Sequence, residues 1–146
     1  MSTGGATRAA AVSRLAVLAA TGLLVAGCTS INAAEQSFEG TGWAVLAVNG
    51  QSPPTGGRDH ALYFGNGGVI GGSFGCNNIG GQYHVQGSAM STTGLHSTLI
   101  GCPGPLATYE QQGLAVLQQP MRLNWTSGRQ LTLSNAAGSI ALERLP

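Results

Sequence analysis

The chain has 146 residues, among them 24 glycines and three cysteines, and its six basic and five acidic side chains give a formal net charge of +1 at pH 7. This balance leaves no basic surface on which phosphates could be neutralised, so the composition argues against a nucleic-acid partner. The length is enough for one domain with a core of its own.

The N-terminal segment has the pattern of an export signal. Two arginines precede an apolar run over residues 15–26, which ends in small residues followed by Cys28. These features are typical of a secretory signal, and the run is too short to span a bilayer. The end of the run resembles a bacterial lipobox, which implies cleavage before Cys28 and lipid attachment to its sulfur. The alternative is an ordinary signal with a chance cysteine. We predict a lipoprotein signal peptide over residues 1–27 and a lipidated, flexible tether over residues 28–40.

From Trp43 onward, short apolar or alternating segments separated by Gly, Pro and Asn predict strands. The predicted strands in the first half of the domain cover residues 43–48, 61–64, 69–75 and 82–86. Residues 105–118 carry apolar side chains near a 3.6-residue period, with prolines at the start and after the end, which predicts one helix. Three alternating segments, 121–125, 130–134 and 139–145, predict an antiparallel meander with one buried face.

Residues 71–75 match the G-x-S-x-G motif of hydrolases around Ser73. That motif works only at a sharp turn from a strand into a helix. No helical pattern follows Ser73, so we predict no nucleophile at this position.

Two cysteines remain in the processed chain besides the lipidated one, Cys76 and Cys102. In an exported domain an even pair of cysteines favours a disulfide. The alternatives are free thiols, with a reactive Cys76 beside His84 or His96, and a metal site. Zinc needs three or four ligands at recognisable spacing, which two cysteines and scattered histidines do not supply, so we predict no metal.

Four motifs follow one another in a specific order. They are a strand from Trp43 that ends in Asn49-Gly50, GCNNIGGQY at 75–83, HSTLIGCP at 96–103 and a helical glutamate, Glu110. This order resembles the META domain family of HslJ-like proteins over residues 41–146. The resemblance implies an α+β domain that is mostly antiparallel β, with a curved sheet or half-open barrel and one packed helix.

The chain departs from the family pattern at two places. Residues 99–101 read LIG, where the family has a methionine-rich approach to its second cysteine. Gly113 stands where the family continues its helix with a bulky or aromatic residue. The small residue predicts looser packing of the helix in this chain.

Asn77 and Glu110 occupy positions of the family motif, and their role is unknown. Asn77 could contact a ligand or cap backbone groups in a tight turn, and the capping role is favoured. Glu110 could pair with an arginine or cap the loop that holds Cys102. A catalytic role would need a second carboxylate or a histidine base within reach. We predict structural roles for both residues and no catalytic residue.

These features predict a lipid-anchored bacterial cell-envelope protein that faces outside the cytoplasm. We expect a non-catalytic binding or stress-related accessory role and no cofactor. The expected partners are the membrane, through the lipid on Cys28, and either a hydrophobic ligand or an envelope protein. The alternatives are a structural, stress-protective protein without a small ligand and a thiol-dependent enzyme. The resemblance implies a link to stress response and supplies no agreed biochemical activity.

Overall fold

The structure is a computed structural model that describes residues 37–146. The predicted signal peptide, the lipid attachment at Cys28 and most of the predicted tether lie outside these residues. The described chain forms eight strands and one helix. The elements are β1 Thr41–Val48, β2 His60–Gly65, β3 Val69–Phe74, β4 Asn78–Gln86, β5 Ala89–Ser97, α1 Gly104–Leu117, β6 Met121–Ser127, β7 Gln130–Asn135 and β8 Gly138–Arg144.

The eight strands form a closed barrel in which consecutive strands pair antiparallel and β1 pairs with β8. The curved sheet or half-open barrel that the family resemblance implied is therefore wrong, while the expectation of mostly antiparallel β structure is confirmed. The narrowest join lies between β5 and β6, where two residue pairs are in register, Ala89 with Arg122 and Met90 with Met121. This short join closes the barrel, because without it the sheet would have two free edges.

The sequence pattern predicts every strand except β5. That strand is rich in Ser, Thr and Gly, and its apolar residues Met90 and Leu95 are too far apart to give an alternating signal. The helix predicted over residues 105–118 is confirmed as α1 to within one residue at each end. No helix in residues 37–146 has the length and apolar character needed to cross a bilayer.

Aromatic side chains fill one end of the barrel around Phe38, which precedes β1. Phe38 is 4% exposed, and its ring centroid lies 4.9 Å from that of Phe64, 5.6 Å from that of Trp125 and 5.9 Å from that of Trp43. Phe38 falls in the segment that the sequence assigned to the tether. The packed domain therefore begins before residue 41, and the segment just before β1 closes this end of the core.

Helix α1 covers the other end of the barrel. Its buried side includes Tyr109, Val116 and Leu117. The looser packing expected from Gly113 is wrong, since a Cβ built at this residue would lie 2.6–2.7 Å from ring atoms of Phe74. The glycine instead lets the helix backbone approach the ring directly, which a larger side chain would prevent.

We predict that Gly113→Ala lowers the free energy of unfolding by about 1–2 kcal/mol, although alanine has the higher helix propensity. The added methyl group meets Phe74, which is itself fully buried. Denaturant unfolding measures the change. The control is Gly104→Ala at the start of α1, where a Cβ has no neighbour within 4 Å. A Gly113→Ala protein as stable as the wild type would contradict the close contact.

Candidate functional site

Four residues that the sequence singled out meet at the end of the barrel that α1 covers. They are Cys76, Asn77, Cys102 and Glu110, and we call them the Asn77 cluster. The first two lie in the turn between β3 and β4, Cys102 lies just before α1 and Glu110 lies on α1. A disulfide joins Cys76 to Cys102, with their Cα atoms 6.0 Å apart. The segment before the helix is thus bound covalently to the β3–β4 turn.

Asn77 is the centre of this cluster. Its backbone N–H donates to Glu110 Oε2 and its side-chain Nδ2 donates to Glu110 Oε1, both at 2.7 Å. Its Oδ1 accepts hydrogen bonds from Thr98 Oγ1 at 2.8 Å and from the Ile100 N–H at 2.7 Å. The side chain is buried, and a buried amide is costly unless it is hydrogen-bonded in this way. Asn77 therefore connects its own turn, the segment after β5 and the helix.

Glu110 is the acceptor that holds the helix to the turn. Its side chain is 6% exposed and lies on the same buried side of α1 as Leu106 and Gly113. Burying a carboxylate is unfavourable unless both oxygens are hydrogen-bonded, and here each oxygen accepts one bond from Asn77. The arginine considered from the sequence is not the observed partner of Glu110. The pairing with Asn77 could not be read from spacing, because the two residues are 33 positions apart.

Both cysteine sulfurs of the cluster are bonded to each other in the disulfide, so neither is a free thiol. One ligand atom each from Cys76, Cys102 and Glu110 lies within 4.8 Å of the others, a spacing that could suit a metal ion. Zinc binds cysteine as the thiolate, however, and these two sulfurs are bonded to each other. A bonded sulfur is not an attacking thiolate either. In this state the cluster fixes the loop and the helix in place.

The two histidines considered as bases lie on neighbouring strands. His84 on β4 and His96 on β5 are exposed, and within residues 37–146 neither makes a hydrogen bond with Cys76. His96 Nδ1 lies 3.0 Å from the Gly94 carbonyl oxygen. The histidine next to α1 is His60, whose ring centroid lies 5.6 Å from that of Tyr109. Burial raises the pKa of Tyr109 to about 12, so its hydroxyl stays protonated at neutral pH.

Ser73 of the G-x-S-x-G match lies inside β3 and is buried. Its Oγ accepts a hydrogen bond from the Gly75 N–H at 2.9 Å. The chain continues through a turn into β4 and not into a helix. The strand-to-helix turn that exposes a hydrolase nucleophile is therefore not formed here.

Comparison with known proteins identifies the family. The family model described as META domain matches residues 36–144. The chain belongs to the META domain family. The match begins at residue 36, just before Phe38, and it includes all four residues of the Asn77 cluster.

Two solved structures share the fold of this META domain. A protein structure determined by NMR is 21% identical, with a TM-score of 0.64 over 75% of this chain and 92% of that chain. An NMR structure of a protein from Burkholderia xenovorans is 20% identical, with a TM-score of 0.57 over 77% of this chain and 87% of that chain. At these identities the similarity shows the fold alone. No curated protein matches the chain significantly.

We expect the Cys76→Ala/Cys102→Ala variant to lose free energy of unfolding while its strands still form. The disulfide joins residues 26 positions apart, and the chain-entropy model gives roughly 3 kcal/mol for a loop of this size. Denaturant unfolding of the variant and of the reduced wild type measures the loss, and the two should agree. A loss below about 1 kcal/mol would contradict a stabilising disulfide, as would cysteines in the oxidised protein that react with an alkylating reagent.

Proposed function

We propose that this META-family protein is exported, cleaved before Cys28 and held at the membrane by lipid on that cysteine. Residues 37–146 would then act in the cell envelope as a non-catalytic binding module with a stress-related accessory role. The signal-like N-terminus supports the export and the anchor. The resemblance to the family supports the stress-related role.

The disulfide between Cys76 and Cys102 is the observation that carries this proposal. Disulfides persist in oxidising compartments and are rare in the cytosol, where thiols are kept reduced. The disulfide lies in the described domain, and the signal pattern lies outside it, so the two are independent indications of export. Both point to the same side of the membrane.

The chemistry of the Asn77 cluster supports a structural role for its four residues over a catalytic one. Its sulfurs are bonded to each other, and both oxygens of Glu110 accept hydrogen bonds from Asn77. A general acid or base must be able to reach a substrate proton, and a nucleophile must be free to attack. In the described structure the sulfurs and the carboxylate oxygens are already bonded within the cluster, which supports a structural role for them.

The packed interior of the barrel supports a binding site on the outer surface. The side chains of Trp43, Phe64 and Phe74 are fully buried inside it, and Phe38 and α1 cover its two ends. A hydrophobic ligand enclosed within the barrel would have to displace these side chains. The outer surface is the better candidate for a binding site.

The test of the anchor is to express the full chain in a bacterial host and follow membrane partition and the mass of the processed protein. We expect the wild type to begin at Cys28, to carry acyl chains and to enter the detergent phase, because two or more chains anchor stably. Cys28→Ser should lose the lipid and the detergent partition. The Cys76→Ala/Cys102→Ala variant is the control and should keep both. An unmodified Cys28 in the wild-type protein would contradict the proposal.

A further inference from the structure

A shallow groove crosses the outside of the barrel over β1 to β4. The strand register places Ala44, Ala61, Ser73 and Asn78 side by side, one on each strand. These positions alternate with side chains that point into the core, so they lie on the outer side of the sheet. Ala61 and Ser73 are largely covered there, at 5% and 6% exposure, whereas Ala44 and Asn78 are more open. Three of the four are alanine or serine, and the floor of the groove is therefore nearly flat.

The groove consists of two adjoining cavities that share several residues. Their volumes are about 480 Å³ and 570 Å³. Arg58, Asp59, Ala61 and Tyr63 line both cavities. The two cavities therefore form one elongated, open groove and not two separate sites.

Tyr63 forms one wall of this groove and the loop over residues 54–59 forms the other. The register places Gly42 and Gly71 on either side of Tyr63. A Cβ built at Gly42 would lie 3.0 Å from the tyrosine ring, so the ring rests against bare backbone. The side chain is 50% exposed. The exposed part of the tyrosine ring therefore lies beside a flat floor, where it provides an aromatic surface for stacking.

Polar groups of both kinds lie at the groove. Arg58 is held by its backbone N–H, which donates to the Gly75 carbonyl at 2.7 Å, and its Nη1 donates to Asn78 Oδ1 at 3.4 Å. Asp59 is the neighbouring acid, and Arg58, Asp59 and Asn78 are exposed. One positive and one negative side chain balance in charge. The groove therefore offers hydrogen-bond donors and acceptors without a net charge.

Three ligand classes fit this groove poorly. An extended peptide adds to a free strand edge, whereas β1 to β4 are each paired on both sides. An acyl chain needs an enclosed apolar cavity, and this groove is open with a polar rim. A polyphosphate needs a positive site, and Asp59 offsets Arg58.

We propose that this groove binds carbohydrate, with a sugar ring stacked on Tyr63. Sugars have an apolar C–H face that packs on aromatic rings, and their hydroxyl and acetamido groups both donate and accept hydrogen bonds. Those are the groups that Tyr63, Arg58, Asp59 and Asn78 complement. The elongated shape fits a strand of linked sugars. The inference rests on the proposed envelope location, where polysaccharide would be within reach of the anchored domain.

The test uses the exported protein purified in detergent, with a β-linked N-acetylglucosamine tetramer and a β-linked glucose tetramer as probes. Calorimetry measures the affinity, and backbone-amide NMR locates the site. We expect binding of at least one tetramer, with the largest shifts at Ala44, Ala61 and Ser73. Tyr63→Ala should weaken binding by about tenfold, whereas Tyr63→Phe keeps the ring and should stay close to wild type.

A second pair of variants separates loss of binding from loss of fold. Ala44→Met fills the groove floor from an outward-facing position and should weaken binding by about tenfold or more. Ala141→Met makes the same change on β8, outside the groove, and should leave the affinity unchanged. Thermal melts check that both variants fold.

Two results would overturn the carbohydrate proposal. One is that the folded wild type binds neither tetramer. The other is that the affinity is unaffected by Tyr63→Ala and Ala44→Met. Neither result bears on the anchor, because acylation and membrane partition of the same protein are measured separately.

Discussion

The fold of this protein depends on one buried contact, the pair of hydrogen bonds from Asn77 to the Glu110 carboxylate, each 2.7 Å long. A buried carboxylate in this position is unfavourable unless it is paired. The two hydrogen bonds form only when α1 packs so that Glu110 faces the β3–β4 turn. The Asn77 Oδ1 atom holds the segment after β5, and the disulfide ties the same segment to the turn. The helix, the loop and the barrel end are therefore positioned together.

Because both ends of the barrel are covered and its interior is filled, the outer surface is the better candidate for a binding site. Helix α1 covers one end of the barrel, and Phe38 closes the other with its aromatic neighbours. Large side chains fill the space between them. The motif residues, which draw attention in the sequence, thus build the scaffold. The groove is formed instead by Tyr63 and by small residues at strand positions on the outer side of the sheet. No sequence motif marks Tyr63 or Ala61. Conspicuous motif residues and a candidate binding surface lie in different parts of this domain.

Local patterns predict most of the elements but not the contacts between them. The alternation in β6 to β8 and the stripe on α1 are strong enough to read directly. β5 lacks such a pattern. The barrel closes where Ala89 and Met90 pair with residues of β6 that are distant in the sequence, and a local sequence pattern cannot predict such a pairing. The cysteine pair is expected because the predicted signal, if cleaved, leaves an even number of thiols besides Cys28. Three contacts could not be predicted in this way: the partner of Glu110, the core position of Phe38 and the close approach at Gly113. Predicting them requires the strand register and the position of the helix, which the sequence alone does not give.

A double-mutant cycle on Asn77→Ala and Glu110→Ala tests the central contact most directly. The free energies of unfolding of the two single variants and the double variant are compared with the wild type in denaturant, with Glu39→Ala as an exposed control paired with Asn77→Ala. We predict that the losses from Asn77→Ala and Glu110→Ala are not additive, with a coupling of at least about 1 kcal/mol, and that the control pair is additive. Additivity within about 0.5 kcal/mol for the Asn77 and Glu110 pair would show that the contact does not hold the helix to the barrel.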